Sequence, residues 1–157
     1  MESIYHKPIS DITWDDVEQF CEQRIPEEAV LDYKRETPQR LEKTIAAMAN
    51  TIGGIILVGV DEDSETRPKL PVCGVPFKRG LPEQVMNIIL SNITPPVIPE
   101  IGLARSKDET KAIIIVRIYQ SHETPHAIAQ NTRIYLRTES EQSGRARERR
   151  QDRMVTK

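Results

Sequence analysis

Two periodicities divide the chain. Thr13 precedes Val17, Phe20 and Cys21, which recur at spacings of three and four, so a short helix is predicted. Asp16 stands three residues after Thr13, the arrangement of a capping box. A second helix is predicted from Leu41, Ile45, Met48 and Ile52, with Thr37-Pro38 as its start and Gly53-Gly54 as its stop. Ala46, Ala47 and Ala49 keep that helix slim enough to lie close to a sheet. Pro82 opens a third, with Val85, Ile88, Ile89 and Asn92 on one side.

Strands show a different pattern. From Ala29 to Arg35 the residues alternate, with Leu31 and Tyr33 on one face and Asp32 and Lys34 on the other. Ile134 and Leu136 alternate with Arg133, Tyr135 and Arg137 near the end of the chain. The runs Ile55–Val60 and Ala112–Val116 are apolar without alternation, as expected of central strands covered on both faces. The sum is an α+β domain, a mixed β-sheet with helices packed on it. It is expected over residues 13–139, after an extended N-terminal arm at 1–12 and before a charged tail at 140–157. Residues 94–99 read as a Pro-rich connection, and the tail as a solvated helix or an unstructured segment.

Composition narrows the picture. The 157 residues suit one domain, and with aromatics at 4% the core must rest on Ile, Val and Leu. The net charge of -2 is no basic signature. The tail carries Arg145, Arg147, Arg149, Arg150, Arg153 and Lys157 against Glu141, Glu148 and Asp152, about +3, which leaves about -5 elsewhere. Any cationic surface in the body must be local. Cys21 and Cys73 cannot supply a four-ligand zinc site, and nothing suggests a disulfide. No run approaches the roughly 20 apolar residues of a membrane span, so no membrane partner is expected and a cytoplasmic location is.

Several motifs invite chemistry. His122-Glu123-Thr124-Pro125-His126 spells H-E-x-x-H, but Pro125 would break the continuous helix a zincin needs. His126 then reads as a satisfied loop histidine or a polar residue on a ligand face. The glycines after Asn50 suit a left-handed helix end, and Asn50 itself is left to contact a ligand or tie two loops. There is no P-loop and no G-x-G-x-x-G, so nucleotide binding has no motif.

Three segments together carry a resemblance: Ile25–Glu36, Ala47–Asp61 with its Ala-x-Ala-Asn-Thr-x-Gly-Gly and Gly-Val-Asp, and Thr132–Arg137. They resemble the Schlafen-type AlbA_2 domain over about residues 12–139, and Pro125-His126 looks like a further family feature. The tail departs, since many relatives continue there into an apolar helix. The resemblance implies a mixed fold and a DNA- or RNA-binding module, regulatory in role, as in transcriptional regulators. Lys34, Arg35, Asn50, His126, Arg133 and Arg137 are the expected nucleic-acid contacts, Lys and Arg meeting phosphate. In the Schlafen branch a related core cleaves structured RNA through three carboxylates, which fall here on Glu27, Asp32 and Asp61. As a catalytic set these would hold Mg or Mn; otherwise no cofactor is expected. Two further readings stay open: that endoribonuclease, and an assembly domain, such as a homo-oligomer, that binds no nucleic acid.

Overall fold

The structure is a computed structural model that describes residues 4–37, 40–129, 133–138 and 152–155. The first helix, α1 (Trp14–Glu22), starts with the expected capping box. Thr13 Oγ1 accepts from the Asp16 N–H at 3.1 Å, and Asp16 Oδ2 accepts from the Thr13 N–H at 2.9 Å. Val17, Phe20 and Cys21 are its buried face. Then follow β1 (Leu31–Lys34), α2 (Leu41–Ala49) and β2 (Gly54–Val58). Next come β3 (Val75–Pro76), α3 (Leu81–Asn92), β4 (Ile93–Thr94) and β5 (Glu100–Arg105). The chain ends with β6 (Lys111–Ile118), β7 (Ala127–Ile128), β8 (Arg133–Arg137) and β9 (Asp152–Val155).

The main sheet is mixed. β1 runs parallel to β2, which pairs antiparallel with β6. Ala112 of β6 pairs with both Arg105 of β5 and Val75 of β3. β5 therefore lies along one edge of β6, while β2 and β3 share the other. A second, antiparallel sheet has the order β4-β7-β8-β9.

Each face of the main sheet has its own core. Ile56, Val58, Ile114 and Val116 pack with α2, α3 and Tyr135. Leu31, Tyr33, Ile55, Leu57, Ile113 and Ile115 pack with α1 and the N-terminal residues. This two-sided cover is why β2 and β6 read as unbroken apolar runs.

Some expectations need correction. The N-terminal arm is not extended: Ile9–Asp11 make a 3-10 turn, and Ile4 and Ile12 are buried. Arg117 pins this arm by donating to the carbonyl oxygens of Ile4 and Lys7. The second helix begins at Leu41, with Arg40 at its N-cap; Pro38 lies outside the described residues. It ends at Ala49, so Ile52 leaves the apolar stripe and is 64% exposed. Gly53 makes the turn at φ +79, its N–H returning to the Met48 carbonyl at 2.8 Å. A Cβ there would stand 2.4 Å from the Ile118 oxygen. β5 had no clear period because its burial does not alternate cleanly. In the tail, Asp152–Val155 form a strand on β8, not a helix. β9 gives the backbone groups along that edge of β8 their partners. The rest of the tail, 140–151 and 156–157, lies outside the described residues, as does residue 139 before it.

Candidate functional site

Alternation along β1 sends Leu31 and Tyr33 into the core beneath α1 and turns Asp32 to the opposite face. There Asp32 is fully buried. Lys34, two residues on, places Nζ 3.3 Å from Asp32 Oδ2. Arg137 reaches across from β8, its side chain fully buried and its Nη1 3.8 Å from the same oxygen. Arg137 also donates to the carbonyl oxygens of Glu28 at 2.8 Å and Ala29 at 3.2 Å. One guanidinium thus joins the second sheet to the start of β1.

Two loops bring further acids to this point. After α1 the chain turns at Arg24 and runs to Glu27, whose N–H donates to the Thr66 carbonyl at 3.0 Å. The Thr66 loop is folded on Asp63, whose Oδ1 accepts from the Glu65 and Arg67 N–H groups at 2.9 and 3.0 Å. Arg24 holds Asp63 Oδ2 at 2.7 Å. So tied, the loop sets Glu62 against Glu27, and Glu27 against Asp32.

The electrostatics follow from burial. Among the described residues, no N–H group hydrogen-bonds to either Asp32 oxygen. Burial pushes the Asp32 carboxyl up to about 7; Lys34 and Arg137 oppose the shift and Glu27 adds to it. Burial also lifts Glu27 to about 7, reinforced by Glu62. Two such carboxyls in contact are best satisfied by one proton held between them.

Asp61 has other partners. Its Oδ1 accepts from the Glu62 N–H at 2.9 Å, and Lys69 Nζ lies 3.5 Å from its Oδ2. Among the described residues, no three His, Cys, Asp or Glu side chains are arranged to hold a metal ion. Glu27, Asp32 and Asp61 therefore do not fit as a three-carboxylate metal site in this arrangement. The acid that meets Glu27 is Glu62, which spacing alone does not distinguish from its neighbour.

The remaining candidates fall into two groups. Asn50 and His126 tie the second sheet to α2. Asn50 Nδ2 donates to the His126 and Tyr135 carbonyls, each at 2.9 Å, and its Oδ1 accepts from the His126 N–H at 2.7 Å. The His126 ring is buried, with Nδ1 2.6 Å from the Pro95 carbonyl and Nε2 2.6 Å from Ser121 Oγ. A carbonyl only accepts, so Nδ1 carries the proton. Residues 122–126 form no helix. Arg35 and Arg133, in contrast, are exposed. A cation the sequence reading missed joins them: Lys43 of α2 places Nζ 5.1 Å from the centre of the Tyr135 ring. Arg133 shares the strand face of Tyr135. Lys43 carried no signal, since helical spacing does not report which strand a helix crosses.

The sequence profile of the Schlafen AlbA_2 family matches residues 27–145. The chain belongs to that family. Among solved structures, this AlbA_2 domain resembles the N-terminal domain of an ATP-dependent DNA helicase RecG-related protein from Nitrosomonas europaea. The TM-score is 0.54 at 18% identity, over 71% of this chain and 78% of that one. It also resembles the DIP2311 protein of Corynebacterium diphtheriae, with a TM-score of 0.52 at 19% identity, over 78% of this chain and 28% of that one. These likenesses establish the α+β fold. No curated protein matches by sequence. Among the described residues no helix of the AlbA_2 domain is long and apolar enough to cross a membrane.

Proposed function

We propose that this AlbA_2 domain is a nucleic-acid-binding module for DNA or RNA with a regulatory role in the cytoplasm. Family membership supports the class, as does the likeness to the DNA helicase RecG-related protein of Nitrosomonas europaea. The observation that carries the reading to particular residues is the meeting of α2 and β8. Lys43 lies over Tyr135, and Arg133 shares that strand face. Lys34 and Arg35 end β1, just before the loop to α2, Lys34 with its side chain 30% exposed. Cations on neighbouring elements of a body that is acidic overall make a local phosphate-binding surface. Arg137, Asn50 and His126 act beneath it, fixing the two sheets and α2 to each other. We assign no catalytic step to the buried acids.

The test is fluorescence anisotropy with labelled duplex, hairpin and single-stranded oligonucleotides across a salt series. Binding that weakens linearly in log salt is expected. An absence of binding at low salt, with the fold intact by circular dichroism, would sink the proposal.

A further inference from the structure

The topology gathers a second set of cations at the end of the main sheet where Lys34 lies. β1 runs parallel to β2, β6 runs against β2, and β3 runs against β6. The ends of β1 and β3 therefore lie beside the start of β6, and β5 ends there too, with Arg105 paired to Ala112. Ala104 belongs to the core under α1, so Arg105 turns to the other face, the one that Lys34 shares and that α2 and α3 cover. There Arg105 lies over the Phe77 ring, 3.8 Å from its centre. The Phe77 N–H donates to the Thr110 carbonyl at 2.9 Å, which fastens the loop before α3 to the β5–β6 turn. Lys78 and Arg79 stand on that loop and Lys107 on that turn, and all three are exposed, as is Arg105.

These charges are not neutralised within the fold. Lys7, Arg24, Arg67, Lys69 and Arg117 each have an acid partner. Among the described residues, Lys78, Arg79 and Lys107 form no ion pair. The acids nearby are Glu83 in the first turn of α3, Glu109 at 3.7 Å from Arg105, and Asp108, whose Oδ1 is engaged by Ser106 and Thr110. From Lys34 to Arg105 the path crosses from β1 to β5 and two residues along, roughly 16 Å between Cα atoms. That is too far for one phosphate. It suits phosphate rows on the two sides of a groove about 12 Å wide. Base stacking has no platform here, because Lys43 covers Tyr135 and Arg105 covers Phe77. The exposed ring of Tyr119 lies just past the opposite end of β6.

We propose that this end of the sheet binds a duplex across one groove, with Lys78, Arg79 and Arg105 as a second phosphate anchor opposite Lys34 and Lys43. A duplex presents phosphate in two rows at a fixed separation, which two clusters on a rigid sheet can match. An acidic peptide has no such spacing to match. The choice of nucleic acid rests on the module reading above, while the second cluster, its exposure and its distance from Lys34 do not.

The experiment compares the full chain with the double variant Lys78→Gln, Arg79→Gln, the fold checked by circular dichroism. Both side chains are exposed on a loop, so the variant should fold as the parent does. Anisotropy is read across a salt series on a mixed-sequence DNA duplex, on each of its strands alone, and on labelled polyglutamate. The parent should hold the duplex more tightly than either strand. On the duplex, each phosphate contact removed lowers the slope of log affinity against log salt by about 0.9, so the double variant should lose up to about 1.8. A double variant with the parent's duplex affinity and slope would overturn the second anchor and leave the module reading standing. A parent that holds a single strand as tightly as the duplex would do the same to the choice of duplex. A parent that binds no nucleic acid at low salt would sink the module reading itself. Polyglutamate binding that the double variant loses would then assign this face to an acidic protein segment and overturn the inference.

Discussion

Asp32 on β1 and Arg137 on β8 lie 3.8 Å apart with both side chains fully buried, so the two sheets are joined through opposite charges removed from water. Removing one member of such a pair leaves the other charge uncompensated, which costs about 3–5 kcal/mol. Arg137→Ala should reach that range in urea denaturation, because the Glu28 and Ala29 carbonyls also lose their donor. Asp32→Asn should cost less, since burial already favours the neutral form of that carboxyl. Equal losses for the two variants would show instead that Asp32 is ionised in the fold and that its attraction to Arg137 carries the joint.

The acids beside that pair give the fold a pH dependence of definite sign. Folding raises Glu27 from 4.5 and Asp32 from 3.8, each to about 7. Between about pH 4 and pH 7 the folded state therefore binds more protons than the unfolded one. Stability must fall as pH rises through that window and level off above it. The slope is at most about 1.4 kcal/mol per pH unit for each group. Glu62, Lys34 and Arg137 face the same acids and set the residual slope. Thermal melts from pH 5 to 8 should show the decline, and the double variant Glu27→Gln, Asp32→Asn should flatten it. A parent that gains stability across this range would contradict the assignment.

Asn50 is a joint between α2 and the second sheet. Its amide serves two carbonyls and one N–H, belonging to His126 and Tyr135. Asn50→Ala strands three part-buried backbone groups, each worth about 1 kcal/mol or more when unsatisfied. A loss of about 3 kcal/mol is expected. Asn50→Asp should rescue little, because a carboxylate can accept from His126 but cannot donate to the two carbonyls. Hydrogen exchange of the His126 amide reads the loss directly.

Local order was legible wherever a residue's neighbours in sequence decide its state. The Thr13–Asp16 box and the buried Val17, Phe20 and Cys21 follow from spacing within one helix. The two-sided cover of β2 and β6 follows from their unbroken apolar runs. The three helices, the mixed sheet and the family motif all came from such patterns. What escaped was set by contacts distant in sequence. Nothing within Arg133–Arg137 shows that Arg137 will turn inward to Asp32 while Arg133 remains outside, since both share one strand face. Nothing in Asp61-Glu62-Asp63 shows which acid meets Glu27, because that depends on a loop held by Arg24 and Thr66. β9 was invisible because a four-residue strand with no alternation is stabilised by the edge it pairs with.

The cationic surface is tested by treating its charges as separable from the buried network. Lys43 lies over the Tyr135 ring and Arg133 is an exposed residue of the strand that carries that ring, so substituting either should weaken nucleic-acid binding without loosening the sheets. Each phosphate contact removed lowers the slope of log affinity against log salt by about 0.9 on duplex DNA. Lys43→Gln and Arg133→Gln should each show that change, uniformly across sequences, because phosphate contacts carry no base information. Their melting temperatures should stay within a few degrees of the parent, in contrast to Arg137→Ala. The pairing of the two readouts gives the test its force. An altered salt slope with unchanged stability places phosphate on this face, whereas lost stability with an unchanged slope would make Lys43 a packing residue for Tyr135 and move the phosphate contacts elsewhere.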